Sequence, residues 1–190
     1  MQKTLAQYRE VIAQCQNLFL KKHHDYGSTA WRVLRLSTIT DQIFINIKRI
    51  ITIQNKGTQA VADSIESEFM SIVNYAIIAL MQLNLPPNTP LELPENQLIK
   101  VYDEVVNKTI ALLQAKNHDY EEAWREMRVS SMADFILAKT YRIKKIEDNQ
   151  GKTLVSEGVE AIYQDILNYA VFCLILINEK AEASQTDSNN

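Results

Sequence analysis

The sequence predicts an all-α protein: a tandem repeat of a three-long-helix unit forming a pseudo-twofold helical bundle. Three observations lead there. Gly and Pro number four each in 190 residues, too few turn formers for a protein rich in hairpins. Apolar residues recur at helical spacing through every long segment. And the chain repeats itself. Residues 22–26 read KHHDY and residues 116–120 read KNHDY. Ala30-Trp31-Arg32 returns as Ala123-Trp124-Arg125, and Asn74-Tyr75-Ala76 as Asn168-Tyr169-Ala170. Self-similarity at a fixed offset is the mark of a duplicated structural unit.

The repeat divides the chain into a first unit over 1–84, a linker over 85–95, a second unit over 96–179 and a tail over 180–190. The first helix is expected over 3–24, where Leu5, Tyr8, Val11, Ile12, Cys15, Leu18 and Phe19 fall on one face. An irregular segment follows over 25–37. Thr38 with Asp41, and Ser131 with Asp134, read as capping-box-like starts of the second helices. Those helices end before Gly57 and Gly151. The third helices are expected over 61–83 and 155–177. The linker LPPNTPLELPE holds all four prolines and should be extended. The polar tail EKAEASQTDSNN should be disordered.

Composition narrows the functional classes. The formal charge is −3 and no Lys/Arg-rich run appears, so nucleic-acid binding is not supported by charge. The longest apolar run, 169–177, falls far short of the roughly 20 residues a membrane helix needs. Cys15 and Cys173 form no CxxC pair, and the N-terminal segment lacks an apolar leader stretch. The expected location is the cytoplasm. No Walker loop, GxGxxG, GxSxG or HExxH motif is present.

Two clusters carry the candidate chemistry. On a helix of about 3.6 residues per turn, Glu157, Glu160, Gln164 and Asn168 share a stripe, with Asp165 at its edge. Inward carboxylates on bundle helices build metal sites, and hard oxygen donors favour Mg²⁺ or Mn²⁺. The competing reading is a solvated acidic face. In the first unit Ser71 stands in place of Asp165 and Met70 in place of Gln164, so the second unit is the stronger metal candidate.

The second cluster is Lys-x-His-Asp-Tyr with the Trp and Arg that follow. Lys22, Asp25, Tyr26 and Trp31 form it in the first unit, and Lys116, His118, Asp119, Tyr120, Trp124 and Arg125 in the second. Lys and Arg contact phosphate and aromatic rings stack on a base, which suits a nucleotide. The competing reading makes Trp and Tyr loop anchors. Arg49 and Arg142 recur on the second helices as phosphate clamps, or as salt-bridge partners of an acid on the third helix. His23 has no counterpart in the second unit, where Asn117 stands, and is discounted.

KHHDYGSTAW and KNHDYEEAW, each followed by an acid-bearing helix ending in NYA, resemble the nucleotide modification associated domain 1 family. The resemblance covers both units and implies an all-α fold linked to modified-nucleotide metabolism. More loosely, the chain resembles the MazG-type all-α NTP pyrophosphatases, which hold Mg²⁺ on EExxE and ExxD helices. It departs from that pattern, having no EExxE and no ExxD at Glu160.

The leading expectation is therefore a Mg²⁺-dependent nucleotide pyrophosphohydrolase. Glu157, Glu160 and Asp165 would hold metal, and Asp119, Glu160 and Asp165 would act in catalysis. Lys116, His118, Arg125 and Arg142 would hold phosphates, Tyr120 or Trp124 the base, and Asn168 would orient ligand. Lys22, Asp25, Tyr26, Trp31, Arg49 and Asn74 would do the same in the first unit. The alternative is a nucleotide- or protein-binding module without chemistry. A homodimer is the expected assembly if the chain self-associates.

Overall fold

The structure, a computed structural model, describes residues 2–60, 62–152 and 158–187, the side chains of 117–120 and 186–187 excepted. Among the described residues there are seven α-helices and no strand. They are α1 (Gln2–Tyr26), a single turn α2 (Thr29–Arg32), α3 (Leu36–Lys56), α4 (Ile65–Asn84), α5 (Glu95–Tyr120), α6 (Val129–Asp148) and α7 (Val159–Asp187). A 3₁₀ turn, Ala123–Glu126, stands between α5 and α6 where α2 stands in the first unit.

Helical periodicity selects the buried faces. In α3, Ile39, Ile43, Ile47 and Ile50 fall on one stripe and are fully buried. Gly57 ends this helix at φ 66°, and its N–H donates to the Ile53 carbonyl at 2.8 Å. In α4, Ser64 caps the first turn by accepting from the Ser67 N–H, and apolar residues run almost all round. That pattern marks a central helix. α4 and its repeat α7 make the most extensive packing in the molecule, flanked by α3 and α6, which also meet each other. The two units thus share one core.

The first helices cross over. α1 packs more extensively on α7 of the second unit than on α4 of its own, and α5 packs more on α4 than on α7. Buried hydrogen bonds fix this exchange. Tyr8 Oη donates to Asn168 Oδ1 at 2.9 Å, and Tyr102 Oη donates to Asn74 Oδ1 at 3.1 Å. Both tyrosines are fully buried, so each hydroxyl requires a partner.

Three sequence expectations are corrected. Thr38 and Ser131 lie inside α3 and α6, which start at Leu36 and Val129 after Arg35 and Arg128, with no side-chain cap. Asp41 instead takes the Lys144 ammonium from α6. The disordered tail is replaced by helix as far as Asp187, because Glu179 is tied to Lys3, Gln7 and Arg125. The first of the third helices starts at Ile65, after the irregular residues 62–64, and α7 is described from Val159; the expected start at 155 lies outside the described residues. α7 is long and apolar enough to cross a membrane, but 72% of its most apolar window is buried in the bundle.

A polar knot sits where α3, α6 and α7 meet. The Thr40 hydroxyl lies 2.8 Å from Glu147 Oε1 and 2.7 Å from Tyr163 Oη. Burial pushes the Glu147 carboxyl up, and Asp41 and Asp148 add to this against the Thr40 hydrogen bond and Lys144. A raised folded pKa means that protonation favours the fold: the contribution is full below the ordinary carboxylate range and is lost as pH rises through the raised value. Glu147→Gln keeps an acceptor for Thr40 and removes the charge. It is expected to raise the melting temperature at pH 7 and to change it little near pH 3. Equal shifts at both values would contradict this account.

Candidate functional site

The second-unit stripe does not converge. Glu160 receives Lys108 Nζ at 2.6 Å and Asn84 Nδ2 at 3.3 Å, and the Lys108 bond holds its carboxyl below the ordinary range. Asp165 receives Lys116 Nζ at 2.9 Å and Lys139 Nζ at 2.7 Å. Burial alone would raise the Asp165 carboxyl, and the two lysines outweigh it and lower it. Asn168 is spent on Tyr8. Among the described residues no group of three acidic, His or Cys side chains assembles that could hold a metal ion. Glu157, and the side chains of His118, Asp119 and Tyr120, lie outside the described residues.

The other candidates divide clearly. Arg49 pairs with Glu68 and donates to the Asp63 carbonyl at 2.9 Å, so it ties α3 to the start of α4. Arg125 donates to Thr4 at 2.6 Å, Gln7 at 2.8 Å and Glu179 at 3.2 Å. Its guanidinium also lies over the Trp124 ring at 4.5 Å. Arg142 is exposed on α6 and Asp25 is exposed beside His24. Trp124 is 6% exposed and stacks on Phe172, with ring centroids 4.1 Å apart and planes 7° from parallel. It is an anchor in the core.

The first unit brings four of its six candidates together, without Asp25 and Arg49. Lys22, Tyr26, Trp31 and Asn74 line one cavity of about 170 Å³. Phe19, Tyr75 and Ile78 complete an apolar, aromatic interior, and Ser71 adds a hydroxyl. His23 also lines it, with its Nδ1 buried and without a hydrogen-bond partner. His23, which has Asn117 as its counterpart in the second unit, thus joins the lining of this cavity. Lys22 is exposed and has no ion pair among the described residues. Asn74 is held rigid, since Nδ2 donates to the Cys15 carbonyl at 3.0 Å while Oδ1 accepts from Tyr102.

The loop that carries Trp31 is set by the linker. Glu92 accepts from the Ser28 N–H at 3.0 Å, the Thr29 N–H at 3.1 Å and the Thr29 hydroxyl at 2.8 Å. The Thr29 hydroxyl and then these amides hold its carboxyl below the ordinary range. Ser28 Oγ donates to the Leu91 carbonyl and accepts from the Leu93 N–H. Gln82 of α4 donates to the Arg32 and Leu34 carbonyls. Gly27 turns the chain at φ +72°, and a Cβ there would lie 2.7 Å from the Glu92 carboxylate. No sequence signal marked Glu92, because its partners are backbone amides 64 residues away.

In the second unit Glu121 takes the place of Gly27, at φ 51° and ψ −137°. This region is nearly closed to residues with a Cβ and costs of order 1–3 kcal/mol. Glu121→Gly is expected to stabilise the protein by about 1 kcal/mol in thermal unfolding. A loss of stability would show that the Glu121 side chain, rather than its backbone, matters there.

Neither curated proteins nor solved structures gave a match to the chain. A family model matches it twice, over residues 22–83 and 116–177. Each match begins at the Lys of the KxHDY motif and runs through the NYA helix. The duplication, the helical fold and the two matches, which together span well over half of the residues, agree: the chain belongs to the nucleotide modification associated domain 1 family and carries two tandem copies of that domain.

Proposed function

We propose that this protein is a nucleotide-binding protein whose site is the cavity of the first unit. One observation carries the reading: an aromatic-walled cavity with an unpaired lysine at its mouth. Ligand sites are mostly apolar with a few placed polar groups. At about 170 Å³ the cavity is of the size that admits one ring system, since an apolar cavity of ~150 Å³ takes benzene. A base fits inside while sugar and phosphate stay at the mouth near Lys22. The family's description supports the choice of a nucleotide over other ring-bearing anions.

We place binding ahead of hydrolysis. The magnesium- or manganese-dependent pyrophosphohydrolase expected from the sequence draws on Glu157, Glu160, Asp165 and Asp119; the charges of Glu160 and Asp165 are already met by Lys108, Lys116 and Lys139, and Glu157 and the Asp119 side chain lie outside the described residues.

A panel of ribo- and deoxynucleotides, with and without Mg²⁺, tests the reading by thermal shift. A ligand at 100 times its Kd stabilises the folded state by about 2.7 kcal/mol. For a chain of this size that is a rise of roughly 5–10 °C. No rise with any nucleotide, in either condition, would overturn it.

A further inference from the structure

The two units differ at the positions that surround the tryptophan, and the difference identifies the form of the ligand. The second unit fills this place with its own side chains. Phe172 lies flat on Trp124, at 4.1 Å and 7°. The Asp165 carboxylate meets the Lys116 ammonium at 2.9 Å. A flat ring on the tryptophan and an anion on the lysine are thus both supplied internally.

In the first unit the corresponding residues are Ile78 for Phe172, Ser71 for Asp165, Trp31 for Trp124 and Lys22 for Lys116. The tryptophan and the lysine remain, while the stacked ring and the carboxylate are absent; Phe19 meets Trp31 only at a tilt of 50°, with ring centroids 6.2 Å apart. Ile78 and Ser71 both line the cavity.

We infer that the first-unit cavity takes a nucleoside monophosphate, with its base against Trp31 and its single phosphate on Lys22; this rests on the nucleotide-binding reading above. The charge balance selects one phosphate over three. A phosphate monoester carries about −1.5 to −2 near neutral pH, and among the described residues the basic side chains that line the cavity are Lys22 and His23. In the second unit a further lysine, Lys139, also reaches the anion. The first unit has Asn46 at that place. A triphosphate would bring charge to this mouth beyond what the lining cations among the described residues meet.

Calorimetric titration of nucleosides, nucleoside monophosphates and triphosphates tests this, on the full chain and on Lys22→Ala, Ser71→Asp and Ile78→Phe. Ser71→Asp supplies the internal anion and Ile78→Phe the internal ring. Monophosphates are expected to bind more tightly than either of the other classes. Each variant should weaken them at least tenfold, and Lys22→Ala should leave nucleoside binding nearly unchanged. Lys22 is exposed, so its truncation keeps the fold even if Ile78→Phe does not. Triphosphates binding more tightly than monophosphates, or monophosphate affinity unmoved by Lys22→Ala and Ser71→Asp, would overturn the inference and leave nucleotide binding standing. No binding of any class would overturn both.

Discussion

Trp124→Ala is expected to cost about 3–5 kcal/mol, the range for removing a well-packed core aromatic. For 190 residues that lowers the melting temperature by roughly 10 °C. Three contacts are lost at once: the stack on Phe172, the cover from Arg125 and the surrounding apolar burial. Trp31→Ala provides the contrast. The two tryptophans are equally buried, at 7% and 6% exposed, so burial alone predicts equal costs. Trp31, however, borders a cavity. Part of its surface already lacks packing partners, and its removal forfeits fewer contacts. Its truncation should cost clearly less in calorimetric unfolding while abolishing ligand binding. A Trp31→Ala cost equal to or above that of Trp124→Ala would contradict the division into a ligand-binding unit and a self-filled one.

Asn168→Ala is expected to cost about 1–3 kcal/mol, the penalty for leaving a buried polar partner unsatisfied. The partner is the Tyr8 hydroxyl, fully buried and bonded to Asn168 across the junction between units. Tyr8→Phe should cost a similar amount by stranding the Asn168 carbonyl oxygen. The double substitution should cost less than the two single costs added, with a coupling energy of about 0.5–3 kcal/mol. Strict additivity in urea unfolding would show that this bond does not join the units. Asn74→Ala should cost more than Asn168→Ala, because Asn74 also donates to the Cys15 carbonyl.

The two units differ in how their tryptophans and lysines are met. In the second unit Phe172 stacks on Trp124, and Asp165 is ion-paired with Lys116 and Lys139. It holds the strained Glu121 where the first unit has Gly27. The carboxylates that stand out most in the sequence therefore serve as lysine partners in the structure.

Much of the fold was determined by the sequence alone. Helical periodicity marks α1, α3 and α6 because their apolar residues fall on one face, and a period is a local property. The repeat of AWR and NYA establishes two like units without any coordinates. Gly57 fixes a helix end because few other residues accept its φ. The candidate first-unit residues Lys22, Tyr26, Trp31 and Asn74 were also legible, since composition and recurrence single them out. Side-chain partners were not. Tyr8 with Asn168, Asp165 with two lysines and Glu92 with the amides of residues 28 and 29 each join positions 26 to 160 residues apart. Such pairings follow from how helices cross, which no local pattern encodes. Only the tertiary structure could show which side chains meet each tryptophan: Phe172 stacks on Trp124, whereas Trp31 borders a cavity together with Phe19 and Ile78.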